Sequence, residues 1–269
     1  YDPEIGGLGL PWAVNAAGQE MLFAANMSFS LCPLLSQGAI EAIEAHGSPE
    51  QQAKSLERLV SGEWTGTMNL TEPHAGSDVG ALKSRAEPQP DGSYRIFGQK
   101  IYITFGEHDM AENIIHLVLA RTPGAPAGTK GISLFIVPKY LPGKIGEDNG
   151  VSVGSLEKKM GIKGSSTRQV FFNDVEVPVE NLLYERGKGF KIAVNILNIG
   201  RIKLGGVVIG SCKDAINESV KYANTREQFG RPISKYGAIR HKLGEMAIQT
   251  YALETAVYRA TQNIDDAIA

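Results

Sequence analysis

Between residues 11 and 62 apolar side chains return at helical spacing, with Ala53, Leu56, Leu59 and Val60 on one face, and this period predicts an all-α opening. Ser48 followed by Pro49 reads as a helix N-cap with proline at the first helical position, where its missing N–H leaves no hydrogen bond unmade. From Trp64 the texture changes to short alternating or wholly apolar runs over 94–97, 101–104, 114–120, 132–137 and 170–172. Pro90-Asp91-Gly92, Pro123-Gly124-Ala125-Pro126 and Asn149-Gly150 punctuate these runs as turns, which predicts a compact β domain. After Pro178 long helices return over 187–225 and 236–269, joined by a loop at 226–234. The order α, β, α makes an α+β chain with helices over 1–62, a β domain over 63–180 and helices again over 181–269. Neither an internal repeat nor a low-complexity tract interrupts it.

A chain of 269 residues with 42% hydrophobic content can bury a proper core and reads as soluble and globular. Its formal net charge of -2, with 27 Lys and Arg scattered rather than clustered, gives no electrostatic footprint for nucleic acid. Cys32 and Cys212 stand far apart without a CxxC partner, which fits a reducing compartment and no disulfide framework. No unbroken run approaches the ~18–20 apolar residues needed to cross a bilayer, so no transmembrane segment is expected. The chain opens Tyr1-Asp2-Pro3 and stops inside a helical pattern at Asp265-Asp266-Ala267, and so reads as an internal segment of a longer protein. The expected location is cytoplasmic, or the mitochondrial matrix for a eukaryotic chain, with any targeting signal outside view.

The common nucleotide, zinc and serine-hydrolase signatures are missing, and His46, His74, His108, His116 and His241 show no metal-ligand spacing, so they read as structural or surface residues. Residues 71–78, Thr71-Glu72-Pro73-His74-Ala75-Gly76-Ser77-Asp78, follow a strand with a proline, small residues and several hydroxyl or carboxylate groups. Such a strand-to-loop edge can donate main-chain N–H groups to an acceptor-rich heterocycle or to phosphate oxygens, or can simply form turns. Tyr102-Ile103-Thr104, on pattern alone, are ordinary strand residues. Gly200, Gly205, Gly206 and Gly210 each weaken a helix interior by about 1 kcal/mol relative to alanine, which points to a close neighbour there, either a ligand or another helix.

Three pieces together resemble the flavin-embracing segments of the acyl-CoA dehydrogenase family: 67–78, Gly98-Gln99-Lys100-Ile101-Tyr102-Ile103-Thr104, and Arg226-Glu227-Gln228-Phe229-Gly230-Arg231-Pro232-Ile233. Ile5-Gly6-Gly7-Leu8-Gly9, Gly161-Ile162-Lys163-Gly164-Ser165 and Phe172-Asn173-Asp174-Val175-Glu176-Val177-Pro178 resemble further family segments, all in the right order. The resemblance implies part of an N-terminal helical domain, a whole central β domain and part of a C-terminal helical bundle, with FAD as cofactor. It implies that Met68, Leu70, Thr71, Gly76, Ser77, Tyr102, Ile103 and Thr104 neighbour the flavin, Ser77 also lying near the thioester, and Thr104 addressing the N5 side of the ring. Tyr102 replaces the family's more usual tryptophan, and its aromatic face still supplies a flat apolar surface. Asn198, Gly200 and Arg201 match positions facing the CoA moiety, with Asn198 where some members carry aspartate. Arg226, Gln228 and Phe229 match residues that reach the FAD of a neighbouring subunit, although Arg226 can also be read as a surface ion-pair residue.

The implied reaction is α,β-dehydrogenation of an acyl-CoA to the trans-2-enoyl-CoA, with a glutamate base and electrons passed to an electron-transfer flavoprotein. In a few members that base precedes the arginine matching Arg201; here the position is Gly200, so the base is expected beyond residue 269. Glu20, Glu107 and Glu112 remain as carboxylates for which capping or surface roles are the simpler reading. An acyl-CoA oxidase or flavin monooxygenase of the same fold, and a catalytically silent binding or assembly module, are the alternatives. Because the family shares FAD across a subunit boundary, a homodimer or homotetramer is expected. The stretch up to Leu141 resembles the branch acting on long-chain and methylthio-propionyl thioesters, and the stretch from Gly187 the very-long-chain branch.

Overall fold

The computed structural model describes residues 1–141 and 143–268, with the side chain of Ile199 left out. In chain order the main elements are α1 (Trp12–His46), α2 (Pro49–Ser61), β1 (Trp64–Asn69), β2 (Arg85–Pro88), β3 (Tyr94–Thr104), β4 (Asn113–Arg121), β5 (Ile132–Pro138), β6 (Val151–Leu156), β7 (Thr167–Val177), α3 (Gly189–Thr225), β8 (Glu227–Gln228), β9 (Arg231–Pro232) and α4 (Gly237–Ile268). The expected sequence of helices, β domain and helices is borne out, and with it the α+β class. Two compact units divide the chain, one of Tyr1–Leu8 and Leu31–Ile199 and the other of Gly9–Ser30 and Gly200–Ala269, so α1 and α3 each contribute to both.

The first unit is organised by β4, which is parallel to β1 and antiparallel to β5. The sheet continues through β2, β3, β7 and β6. Every β4 residue except Arg121 is buried, which is why its sequence is a continuous apolar run rather than an alternating one. The period of two still sorts its faces. Ile115, Leu117 and Leu119 pack with Ala39, Ile40 and Ile43 of α1, whereas Val118 and Ala120 pack with Ile96, Phe135, Val170 and Phe172. His116 lies on the latter face, where its Nδ1 stands 2.7 Å from Thr67 Oγ1. Burial there, with the Lys139 and His108 charges adding to it, drives the His116 pKa down to about 3, so this is a neutral core histidine.

α2 begins where the sequence places it. Ser48 Oγ accepts from Gln51 N at 3.3 Å while Gln51 Oε1 accepts from Ser48 N at 2.9 Å, a reciprocal cap ahead of Pro49. The two runs at 94–97 and 101–104 form one strand instead of two, β3 carrying straight through Gly98. β2 and β6 add strands that the apolar pattern does not announce, with exposed residues along each.

In the second unit helix packing explains Gly205, Gly206 and Gly210, whereas an added Cβ at Gly200 would meet nothing within 4 Å. A Cβ at Gly205 would lie 2.6 Å from Val257 of α4, and one at Gly210 would lie 2.4 Å from the Glu20 carbonyl of α1. Asp265 of α4 caps the start of α1, accepting from Trp12 N at 2.7 Å and Ala13 N at 3.2 Å. Asp265→Ala is therefore expected to destabilise the chain by about 1 kcal/mol, a fall of roughly 2–4 °C in thermal midpoint that calorimetry would read.

By length and composition alone α3 is long and apolar enough to cross a membrane, with mean hydropathy 1.5 over an 18-residue window, but a buried core helix meets the same test and no clear transmembrane segment results. Isolated polar residues break its apolar runs, in keeping with the expected lack of a transmembrane segment. Its apolar positions include core residues, with Ile192, Ala193 and Ile196 buried in the first unit and Val207, Ile209 and Ala223 buried in the second.

Candidate functional site

The 67–78 and 98–104 segments meet in the first unit. Ile101 N donates to the Thr71 carbonyl at 2.9 Å, and Lys100 Nζ donates to the Leu70 carbonyl at 3.2 Å and to Glu72 Oε1 at 2.8 Å. Glu72 also accepts from Lys83 N at 2.7 Å and Ser84 N at 3.0 Å. Its loop closes on itself through Glu72 N to the Ala75 carbonyl at 2.8 Å and Ala75 N to the Glu72 carbonyl at 3.1 Å. Gly76 then passes beside Thr71, whose Cγ2 would lie 3.3 Å from an added Cβ.

Around this joint the expected flavin neighbours take different roles. Thr71 and Thr104 are partly buried, Ser77 is exposed, and Met68 and Leu70 pack partly against the core beneath α1. Ile103 is committed to the core through its side chain, so its main chain is what it offers a ligand. Tyr102 is 62% exposed and holds a left-handed backbone, φ 58°. For a non-glycine residue that conformation costs about 1–2 kcal/mol, and such strain persists where surrounding bonds over-determine it.

The charges beside Tyr102 are buried: side-chain exposure is 0% for Lys100 and 3% for Glu72. Burial pushes the Lys100 pKa down to about 8 against the pull of Glu72. For Glu72, burial opposes ionisation, but the Lys100 ammonium and the hydrogen bonds outweigh it and hold the carboxyl below its usual range. Two main-chain N–H groups steady the Glu72 carboxylate in addition to Lys100. Both residues lie inside the segments 67–78 and 98–104, yet neither is among the expected flavin neighbours. The available signal was a lysine at a position whose β3 neighbours Tyr94 and Ile96 point inward.

The remaining candidates lie on α3 and just beyond it. Asn198 and Arg201 are exposed and Gly200 is partly buried. In the second unit β8 and β9 form a two-residue hairpin turning at Phe229 (φ 52°) and Gly230 (φ 74°), both left-handed as such a turn requires. Phe229 is 94% exposed, and the hairpin is braced by Tyr236 Oη donating to the Gln228 carbonyl at 2.7 Å and by Ile233 N donating to the Arg226 carbonyl at 2.8 Å.

Two of the remaining carboxylates are committed elsewhere. Lys213 binds Glu20 Oε1 at 2.7 Å, and Tyr258 Oη donates to Glu20 Oε2 at 3.0 Å. Glu107 pairs with Lys139 at 2.6 Å at the edge of a polar cleft of about 580 Å³ that also takes in His108, Asn113 and Arg168. Glu112 is exposed.

Residues 1–63, 67–175 and 187–269 match, in turn, the families described as acyl-CoA dehydrogenase N-terminal domain, middle domain and C-terminal domain. The chain is 45% identical over 236 residues to the 3-methylmercaptopropionyl-CoA dehydrogenase of Ruegeria pomeroyi, covering 87% of this chain and 40% of that protein. It is 39% identical over 264 residues to the very long-chain specific acyl-CoA dehydrogenase, mitochondrial, of Rattus norvegicus, covering 97% of this chain and 39% of that protein. The chain thus spans about two fifths of the length of these curated relatives. Among solved structures, butyryl-CoA dehydrogenase from Megasphaera elsdenii superposes with TM-score 0.87 at 32% identity, covering 99% of this chain and 68% of that one. An acyl-CoA dehydrogenase complexed with FAD from Bacillus anthracis superposes with TM-score 0.85 at 38% identity, covering 98% of this chain and 43% of that one.

Proposed function

The chain belongs to the acyl-CoA dehydrogenase family, and from that premise we propose that it serves the FAD-dependent α,β-dehydrogenation of an acyl-CoA thioester, with electrons passed to an electron-transfer flavoprotein. The observation that carries the reading is Tyr102, an aromatic ring turned outward by a left-handed backbone directly beside the Thr71 joint. These residues fit a flavin, which needs a flat apolar surface and hydrogen-bond donors along one edge. Bound FAD supplies the two-electron acceptor.

The protein's own part is to bind and orient. Tyr102 offers the flat surface, while the Thr71 and Thr104 hydroxyls and the Gly76 main chain face the polar edge. Ser77, exposed at the loop, serves the thioester end. Arg201 supplies a cation for the phosphates or adenine of CoA. Arg226, Gln228 and Phe229, on a hairpin that exposes its aromatic tip, reach the FAD of a second copy, which makes the working form a homo-oligomer.

Acyl-CoAs of graded length added anaerobically to the FAD-loaded protein test this reading. Expected is a saturable change in the visible flavin spectrum with at least one chain length, and a loss of about tenfold in acyl-CoA affinity for Arg201→Met. A spectrum indifferent to every acyl-CoA would count against the proposal.

A further inference from the structure

Side chains on a strand alternate between faces, so the inward set Tyr94, Ile96 and Lys100 on β3 would continue to residue 102. It does not. The pairing of β3 with β7 steps from Lys100↔Val170 to Ile103↔Arg168, so β3 carries an extra residue, a bulge that returns Ile103 to the core and turns Tyr102 out. The bulge starts at Lys100, the largest charged side chain fully enclosed in the sheet domain, and Lys100 is tied to Glu72 and to the Leu70 carbonyl one residue either side of Thr71.

We infer that Glu72 and Lys100 form a latch that fixes the β3 bulge, and thereby sets the outward pose of Tyr102 and its place beside Thr71; they are positioning residues for the flavin-facing edge. The inference rests on the FAD reading only for its consequence in binding. The pose itself is a property of the protein alone.

Nothing in the bonding of Glu72 points to a second use. Its Oε1 takes Lys100 and Ser84 N, and its Oε2 takes Lys83 N with His74 Nε2 3.7 Å away, so one carboxylate joins the 71–78 loop, the approach to β2 and the start of the bulge. A pair placed merely to fill the core would be replaceable by apolar residues of similar size with little penalty. A pair that fixes a bulge would not be, because the apolar substitutes carry no directional bonds to Leu70, Lys83 and Ser84.

The test compares the full-length protein with the double variant Glu72→Gln/Lys100→Met, which leaves no lone buried charge, and with Lys221→Met, which breaks an exposed ion pair with Glu218 on α3 in the second unit. Tetranitromethane modification of Tyr102, read by mass spectrometry without FAD, reports the pose, and flavin fluorescence quenching reports FAD affinity. The double variant is expected to change the Tyr102 modification rate severalfold and to weaken FAD by about tenfold, with little further loss when added to Tyr102→Gly, since coupled residues do not add. Lys221→Met is expected to move neither reading.

An unchanged Tyr102 rate, or losses that simply add to those of Tyr102→Gly, overturns the latch. Failure of the wild-type protein to bind FAD, with the Tyr102 rate still changed in the double variant, overturns the flavin reading and leaves the latch standing. Should the double variant not fold, FAD affinity of the wild-type protein from pH 7 to 9 decides. The groups facing Lys100 are Glu72, which also takes Lys83 N and Ser84 N and has His74 behind it, the Leu70 carbonyl, and Val170 paired across on β7. Loss of the Lys100 proton as pH rises through about 8 should weaken FAD; a flat profile overturns the latch.

Discussion

Tyr102→Gly is expected to make the chain more stable and worse at holding FAD. The residue sits at φ 58° with 62% of its surface exposed, so glycine relieves a left-handed strain and gives up little burial. Relief of about 1–2 kcal/mol, less the roughly 0.5–1 kcal/mol that glycine loses in a strand, leaves a net gain of about 0.5–1 kcal/mol. Removing the ring forfeits the burial of an aromatic face against the flavin, worth about 1.5–3 kcal/mol, so FAD affinity should fall roughly 10- to 100-fold. Chemical denaturation and FAD titration on the same preparation read the two effects. Opposite signs are the mark of a residue kept strained for a ligand; a loss of stability with unchanged FAD affinity would make Tyr102 a structural residue.

Leu117→Ala should have the largest effect on the fold itself. Leu117 is fully buried on β4, opposite Met68 of β1 and Ile136 of β5, and belongs to the cluster shared with α1. Neighbouring strands on both sides prevent collapse around the lost atoms, so the cost is expected near 3 kcal/mol, within the range of about 2–5 kcal/mol for such truncations. That corresponds to a fall of roughly 6–12 °C in thermal midpoint. A fall of less than about 1 kcal/mol would mean that β4 is not the centre of the sheet.

What the sequence made legible is what local chemistry controls. Ser48 and Pro49 located the start of α2 because a capping box is complete within a few residues. The wholly apolar run of β4 was visible because both of its faces are covered. β2 was not visible, since it is a short strand with its end residues exposed. The long helix α3 was legible from its apolar recurrence, and the isolated polar residues that divide it kept it from reading as a membrane span.

The candidate site was legible as segments through the family resemblance, and the structure adds how two of them are joined. Lys100 and Glu72 are 28 residues apart, so no periodicity within either segment could pair them. Strict alternation along β3 would also have pointed Tyr102 inward; the bulge that reverses it depends on register with β7. The glycines of α3 left a ligand and a helix neighbour as equal readings, and in the second unit Val257, Ala16 and Glu20 supply the helix neighbours at Gly205, Gly206 and Gly210.

Titration of the purified chain into FAD, followed by visible absorption and flavin fluorescence, bears most directly on whether the joined 67–78 and 98–104 segments hold an isoalloxazine. Saturable binding with quenched fluorescence and a shifted absorption band is expected, both weakened in Tyr102→Gly. A flavin spectrum and emission unchanged at large protein excess, or binding equally tight without the Tyr102 ring, would contradict it.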